Sequence, residues 1–274
     1  MEEMERRMDL ISVLMGTRAD AAQLEALKRA VSSVLNQEKV EVELLICAAG
    51  ADTTVQDWLW TVSDCEKRVR IVERAKAMLL GEKINACLNC ANGRWIARMD
   101  DDDYSYPLRL NRQLAFLSDI HNCYYVGSWV REVGLYGARI RKLPQFPTLN
   151  DFRMTQPFVH PTLFFKREVL ERVGGYSESR WQDHCDDYDL LLRLYQQGIT
   201  GANIQEVLMD YSVARSLEQR RPYRFFVNEA VTRAARFSAL KKLPAWTFYV
   251  VKPLVVGLIP RRTLYWLKTN QRKN

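Results

Sequence analysis

Nowhere does this sequence of 274 residues offer the roughly 20 consecutive apolar residues that a membrane-crossing helix needs. Its start, MEEMERRMDL, is charged and lacks an apolar h-region, which argues against a secretory signal. The six cysteines (Cys47, Cys65, Cys87, Cys90, Cys123, Cys185) make no tight disulfide framework. Cys87 and Cys90 form a C-x-x-C, but no second pair or histidine stands at zinc-site spacing, so both read as small apolar residues on a helix. These absences fit a reducing, cytoplasmic setting. Low-complexity tracts and internal repeats are also missing, which restricts disorder to the two ends.

Acid is scarce in the tail. Residues 215–274 hold 14 of the 40 Lys/Arg but only two acids, Glu218 and Glu229, so the remainder of the chain is net acidic. The overall +7 charge therefore belongs to the tail. Nucleic acid is not an expected partner, because no recognition module accompanies that charge.

What is present is hydrophobic content of 47%, enough for one sizeable core plus an appendage. Strands are expected at Leu10–Met15, Val42–Cys47, Val69–Val72 and Trp95–Met99, with helices at Gln23–Leu35, Val55–Val62 and Lys83–Ala91 between them. Further on come a helix at 108–117, strands at Cys123–Val133, Arg139–Leu143 and Pro161–Phe165, and helices at Lys166–Val173 and Asp186–Gln197. Pro144–Pro157 reads as a loop. Alternating strands and helices argue for an α/β fold with a mostly parallel sheet, whose ligands collect beyond the carboxyl ends of the strands.

Two acidic clusters stand out. Asp100–Asp103 follows an apolar strand and precedes a proline-led helix. An isolated acidic run is often merely solvated, but carboxylates at i and i+2 on a tight turn suit Mg²⁺ or Mn²⁺ shared with phosphate oxygens. An EF-hand is a poor alternative, since Ser105 and Asn111 stand where its glycine and glutamate belong. The second cluster, Asp183-His-Cys-Asp-Asp-Tyr-Asp189, opens a helix at Asp186 and Asp187. Carboxylates there can simply cap the helix; an adjacent pair can also supply one general base with a raised pKa. His160 precedes a strand, and beside two acidic clusters it joins the candidates, although a lone histidine is more often structural.

The chain resembles the family 2 glycosyltransferases with a GT-A fold, especially the bacterial ones that build surface polysaccharides. The resemblance is carried by LISVLMGTR, AVSSVLNQ, KINACLNCANGRWIARMDDDDYSYPLRLNRQLAFL, VHPTLFFKREVLERVGGY and DDYDLLLRL, in that order over roughly residues 10–200. It implies an inverting transfer from a nucleoside-diphosphate sugar, a UDP-sugar by family expectation, to a glycan or lipid-linked acceptor. Asp102 and Asp100 would meet the metal, with Asp102 the direct ligand, and Asp187 would be the base beside Asp186. Thr17, Arg18, Asp52, Lys83, Arg98, Asp100, Asp101 and His160 make up the implied nucleotide-sugar set. In one place the sequence departs: the family commonly has Asp-Asp-Gly-Ser after the second strand, whereas this chain has Cys47-Ala48-Ala49-Gly50-Ala51-Asp52. The acid is absent or displaced to Asp52, which motivates the alternative of a catalytically silent relative that binds glycan or membrane. A sugar nucleotidyltransferase ranks lower, since GTRAD is poor in glycine.

The expected organisation is a GT-A domain over 8–212 and a basic, amphipathic helical extension over 213–274. In the extension, 222–240 reads as a helix with Phe226, Val227, Ala230, Val231, Ala234 and Phe237 on one side. Beyond it, Trp246, Phe248, Tyr249, Tyr265 and Trp266 alternate with Lys/Arg, and the longest uncharged stretch of this tail, Leu243–Val251, is nine residues. That pattern suits an anionic membrane surface, peripheral on the inner face of the cytoplasmic membrane. Packing on its own domain, or on a second subunit in a homodimer, stays open.

Overall fold

Short apolar runs become the strands of one sheet, nine-stranded among the described residues. The computed structural model describes residues 10–73, 78–120, 122–134, 137–213 and 222–259. The strands are β1 (Ile11–Gly16), β2 (Val42–Cys47), β3 (Val69–Ile71), β4 (Trp95–Arg98), β5 (Tyr104–Ser105), β6 (Tyr125–Gly134), β7 (Gly137–Arg141), β8 (Phe164–Lys166) and β9 (Ala202–Ser212). The helices are α1 (Leu24–Leu35), α2 (Thr53–Cys65), α3 (Leu80–Cys90), α4 (Arg109–Asp119), α5 (Arg167–Arg172), α6 (Asp186–Gln196), α7 (Tyr223–Ala239) and α8 (Thr247–Leu258). The strand order is β3-β2-β1-β4-β8-β6-β9-β5, with β7 paired to β6; β3, β2, β1 and β4 run parallel, and β8 then enters antiparallel between β4 and β6.

Alternation along each strand sorts side chains into two apolar layers. Val13, Met15, Leu44, Ile46 and Ala97 meet α1, α2 and α4 on one face. Leu14, Leu45, Cys47 and Ile96 meet α3, α5 and α6 on the other. Both faces are covered, so the parallel strands read as continuous apolar runs. That same alternation turns Arg98 to the Ile96 side at the carboxyl end of β4, where it is 2% exposed.

Three departures from the sequence reading bear on the site and the tail. Residues 160–162 form a 3-10 turn, and only Phe164–Lys166 pairs as a strand. β9, eleven residues long and inside the sheet, was not anticipated. Its pairing with β6 shifts register twice, at Ser128/Trp129 and Trp129/Val130. These irregularities break the period-2 pattern, so Ile204, Val207 and Met209 do not read as one face.

The third departure is the tail. The buried face of α7 is Asn228, Ala230, Thr232, Arg233 and Phe237, whereas Val231 is exposed. Polar contacts decide this face. Asn228 donates to the carbonyls of Arg180 and Asp183, Thr232 to that of Trp181, and Arg233 to that of Arg153. Trp246 is buried edge-on against Phe237, with centroids 4.9 Å apart, so it does not offer its ring to a surface. Pro253 lies inside α8 without ending it. Tyr265 and Trp266 lie outside the described residues.

Candidate active site

The carboxyl ends of β1, β2 and β4 open on one side of the sheet. After β1, the Thr17 amide donates to the Cys47 carbonyl at 3.0 Å, which fixes the loop against the end of β2. The Thr17 hydroxyl donates to Asp101 and accepts the Ala19 amide at 2.9 Å. Beneath the loop, Lys83 on α3 is almost wholly buried and donates its ammonium to the Thr17 carbonyl. Burial, helped by Arg18, pulls its pKa down to about 8. Arg18 itself is exposed and donates to the Met78 carbonyl. Asp52 caps α2, accepting the Thr54 amide at 2.8 Å, and its own amide donates to the Ala19 carbonyl. At the end of β2, Ala48 and Ala49 are buried and present only methyl groups.

Arg98 is the hub of the site. Its guanidinium donates to Asp100 and to the carbonyls of Leu14 and Met99. Burial alone would weaken its charge; Asp100, Tyr176, Asp186 and Asp101 more than offset that, and it stays protonated. Arg109, fully buried on α4, donates to the carbonyls of Arg98 at 2.7 Å and Pro161 at 2.8 Å. It thereby fastens the end of β4 to the turn that carries His160. His160 Nε2 lies 3.0 Å from the Tyr176 hydroxyl, and desolvation with Arg98 nearby keeps the imidazole neutral. Tyr176 is held in turn by Asn85 on α3, which accepts its amide at 2.8 Å and donates to its carbonyl at 2.9 Å. Gly175 precedes it at φ +70°, and a Cβ there would stand 2.5 Å from the Asn85 oxygen. Only glycine allows that approach.

The second acidic cluster arrives at the same place. Asp186 is buried at the start of α6, and its Oδ2 has no hydrogen-bond partner among the described residues. Burial, then the charge of Asp187, pushes its pKa up to about 8. Asp187 is half-buried; its Oδ2 accepts from Gln156 at 2.9 Å and its Oδ1 accepts the Tyr188 amide at 2.7 Å. Desolvation raises it too, against those two bonds. Asp100 adds to the upward shift of both carboxyls. Asp103 is buried, accepts the Ser212 amide at 2.8 Å, and is raised by burial and then by Asp100 and Asp102. The turn after β4 and the start of α6 thus share one excess of negative charge.

That donor set fits a divalent cation. Asp100 and Asp102 are half-buried oxygen donors on one turn, and the Asp102 carbonyl is held by Arg29 at 3.3 Å. Among the described residues no three His, Cys, Asp or Glu side chains form a preformed cage. Mg²⁺ is commonly held this way, by one or two carboxylates with phosphates and water supplying the rest.

The structure therefore brings Thr17, Lys83, Arg98, Asp100, Asp101, His160 and Asp186 into one connected network, and leaves Asp52 on its helix cap. Tyr176, Asn85, Gln156, Arg109 and Asp103 carry no role in the sequence reading. Tyr176, Asn85 and Arg109 belong to the motifs that resemble the family. Gln156 lies in an irregular loop and gives no sequence signal.

The family model described as Glycosyl transferase family 2 matches residues 12–174. The chain is 29% identical over 238 residues to the putative glycosyltransferase EpsE of Bacillus subtilis (strain 168), covering 85% of each chain. It is 29% identical over 203 residues to the UDP-Gal:alpha-D-GlcNAc-diphosphoundecaprenol beta-1,3-galactosyltransferase of Escherichia coli, covering 71% of each. In fold it is similar to S. aureus TarS 1–349 in complex with UDP-GlcNAc, with a TM-score of 0.67 at 13% identity over 88% of this chain and 72% of that one. The mannosyltransferase PcManGT from Pyrobaculum calidifontis, in complex with GDP-Man and Mn²⁺, gives a TM-score of 0.62 at 16% identity, covering 96% of this chain and 80% of that one. At such identities the two structures speak for the fold, which is GT-A.

Proposed function

The chain belongs to glycosyl transferase family 2, and from that membership we propose that it moves a sugar from a metal-bound nucleoside-diphosphate sugar to an acceptor hydroxyl, with inversion. It is a glycosyltransferase; the donor base, acceptor and stereochemistry are the finer part of this reading. The observation that carries it is the meeting of two acidic clusters, Asp100–Asp103 and Asp186–Asp187, around the Arg98 guanidinium.

Asp102 and Asp100 would hold Mg²⁺ or Mn²⁺, which supplies positive charge to the departing diphosphate. Asp187 takes the proton of the acceptor hydroxyl. That oxygen attacks the anomeric carbon from the face opposite the diphosphate, the bond to the diphosphate oxygen breaks, and the nucleoside diphosphate leaves. Asp186 and Asp187 divide the work through their surroundings. Burial and neighbouring carboxylates raise both carboxyls, Asp186 to about 8, so the pair holds a proton more readily than a free carboxylate does, and Asp187 is the member whose two oxygens are positioned by other groups. Gln156 orients the Asp187 carboxylate, whose oxygens each keep a lone pair for the acceptor. Thr17 and Lys83 shape the loop after β1 from below, where the nucleotide would lie.

The acceptor in this reading is a lipid-linked or growing surface glycan at the inner face of the cytoplasmic membrane. Support comes from the E. coli relative, whose name specifies a diphosphoundecaprenol-linked substrate. A silent relative is the second reading, favoured by the methyl groups of Ala48 and Ala49 where the family commonly has acid. Incubating the protein with a panel of UDP- and GDP-sugars, with Mn²⁺ and with chelator, tests both. Donor turnover that needs metal supports transfer. Metal-dependent binding of a donor with no turnover of any panel member selects the silent relative.

A further inference from the structure

We infer that the outward face of α8 is a docking stripe for an anionic membrane surface. Phe248, Val251, Val255 and Leu258 follow one another at steps of three, four and three, which places them along one side of the helix. They are 72%, 44%, 55% and 73% exposed. Single exposed apolar residues need no explanation; a continuous row on one helix does.

The row faces outward because the opposite side of α8 is fixed. At Gly257 a Cβ would stand 2.7 Å from the ring of Phe226 and 2.9 Å from that of Tyr223, so α8 lies against α7 with no room for a side chain. Pro253 is buried, and Lys252 donates to the Met154 carbonyl at 2.6 Å. The helix cannot roll to hide its apolar row without losing these contacts. Nor can it cross a bilayer. It has 12 residues, and among the described residues no helix is long and apolar enough to span.

Charge selects the occupant. From residue 241 to 274 the sequence has eight Lys/Arg and no acid. A second copy placed on the same stripe would bring two such cationic segments together, which is unfavourable. The stripe is also a narrow ridge on a helix about 18 Å long, whereas stable dimers bury about 800 Å² per partner. An apolar helix face within a sequence segment rich in cations matches the boundary between acyl chains and anionic headgroups. The stripe is mechanically continuous with the site: α8 packs on α7, and α7 is joined through Arg236 to Asp189 on α6, the helix that begins at Asp186 and Asp187. The inference deepens the reading of a membrane-bound acceptor and rests on it for its purpose.

Its test does not depend on that acceptor. Full-length protein is floated with vesicles of phosphatidylglycerol and phosphatidylcholine, and donor hydrolysis is measured separately in solution. The wild type should float with the mixed vesicles and lose binding with phosphatidylcholine alone or at high salt. Phe248→Ser with Leu258→Ser should lower partitioning by at least about tenfold, with unchanged thermal unfolding and hydrolysis. Phe248→Leu with Leu258→Ile should restore flotation. Failure of the wild type to float, or a serine variant that floats as well as wild type, overturns the inference. So does a wild-type dimer that the serine variant splits without any vesicle binding, which would assign the stripe to a second copy. Flotation without hydrolysis of any nucleotide sugar leaves the stripe standing and removes the transferase reading; hydrolysis without flotation does the reverse.

Discussion

The Nε of Arg236 on α7 stands 2.7 Å from Oδ1 of Asp189, a residue in the first turn of α6 whose carboxylate is fully buried. Arg193 takes the other oxygen at 2.7 Å and also donates to the carbonyls of Val173 and Gly175. Asp189 thus bridges α7, the helix of the candidate base and the Gly-Gly turn before Tyr176.

Removing that carboxylate leaves two guanidinium groups without their anion. Asp189→Ala should destabilise the protein by about 3–5 kcal/mol, the usual result of breaking a buried pair from one side. Urea unfolding measures it. A loss below about 1 kcal/mol, the range of exposed pairs, would mean that the bridge contributes little to the fold.

Asp187→Asn keeps the size of the side chain but cannot accept a proton. Turnover should fall about 10²–10⁴-fold, with donor affinity little changed. Steady-state kinetics with titration of the donor separates the two. If Asp187→Asn turns over normally and Asp186→Asn is dead, the base is the other carboxylate.

Asp186 gives a pH signature in the absence of metal. Its pKa is raised from an ordinary value near 3.8 to about 8 by burial and then by Asp187. A carboxyl raised on folding binds its proton more tightly in the native state. Its stabilising share is therefore complete below pH 4 and declines as pH rises to about 8, with a slope of at most about 1.4 kcal/mol per pH unit. Wild type should lose stability across pH 5–8 relative to Asp186→Asn, and the two curves should run parallel above that window. Thermal unfolding in chelator checks this, and parallel curves throughout would show that Asp186 ionises freely in the folded state.

Asp102→Asn should abolish turnover and weaken metal-dependent donor binding while thermal unfolding stays near wild type. Calorimetry of donor with and without Mn²⁺ reads the binding term. Full activity of the wild type in excess chelator would remove metal from the mechanism.

Much of this arrangement was legible in the sequence where local pattern and tertiary role coincide. Apolar runs such as VELLIC became β2 within the same limits, because a strand covered on both faces shows its burial as an unbroken run. Asp100–Asp103 and Asp186–Asp187 announced themselves as charge that needs a reason. β9 was hidden because its irregular pairing scrambles the alternation. The face of α7 was misread because Asn228, Thr232 and Arg233 are buried by their hydrogen bonds and ion pairs, a reason that hydrophobic spacing does not record. Gln156 illustrates the same limit at the site, since only the folded loop brings its amide to Asp187.

The methyl groups of Ala48 and Ala49 change where fidelity would come from in a cell that holds several sugar nucleotides at once. A site that hydrogen-bonds a substrate group can reject an analogue lacking it by about 10⁴–10⁵, because its own buried polar groups are then left unpaired. If the nucleotide base lies over this alanine floor, no carboxylate is stranded beneath a foreign base and that penalty is absent. Under that reading, selection among competing donors would fall on the sugar ring and on backbone contacts. Donor analogues with altered bases should accordingly compete with the parent sugar nucleotide, and a base change that abolishes competition would show that the base is read elsewhere in the site.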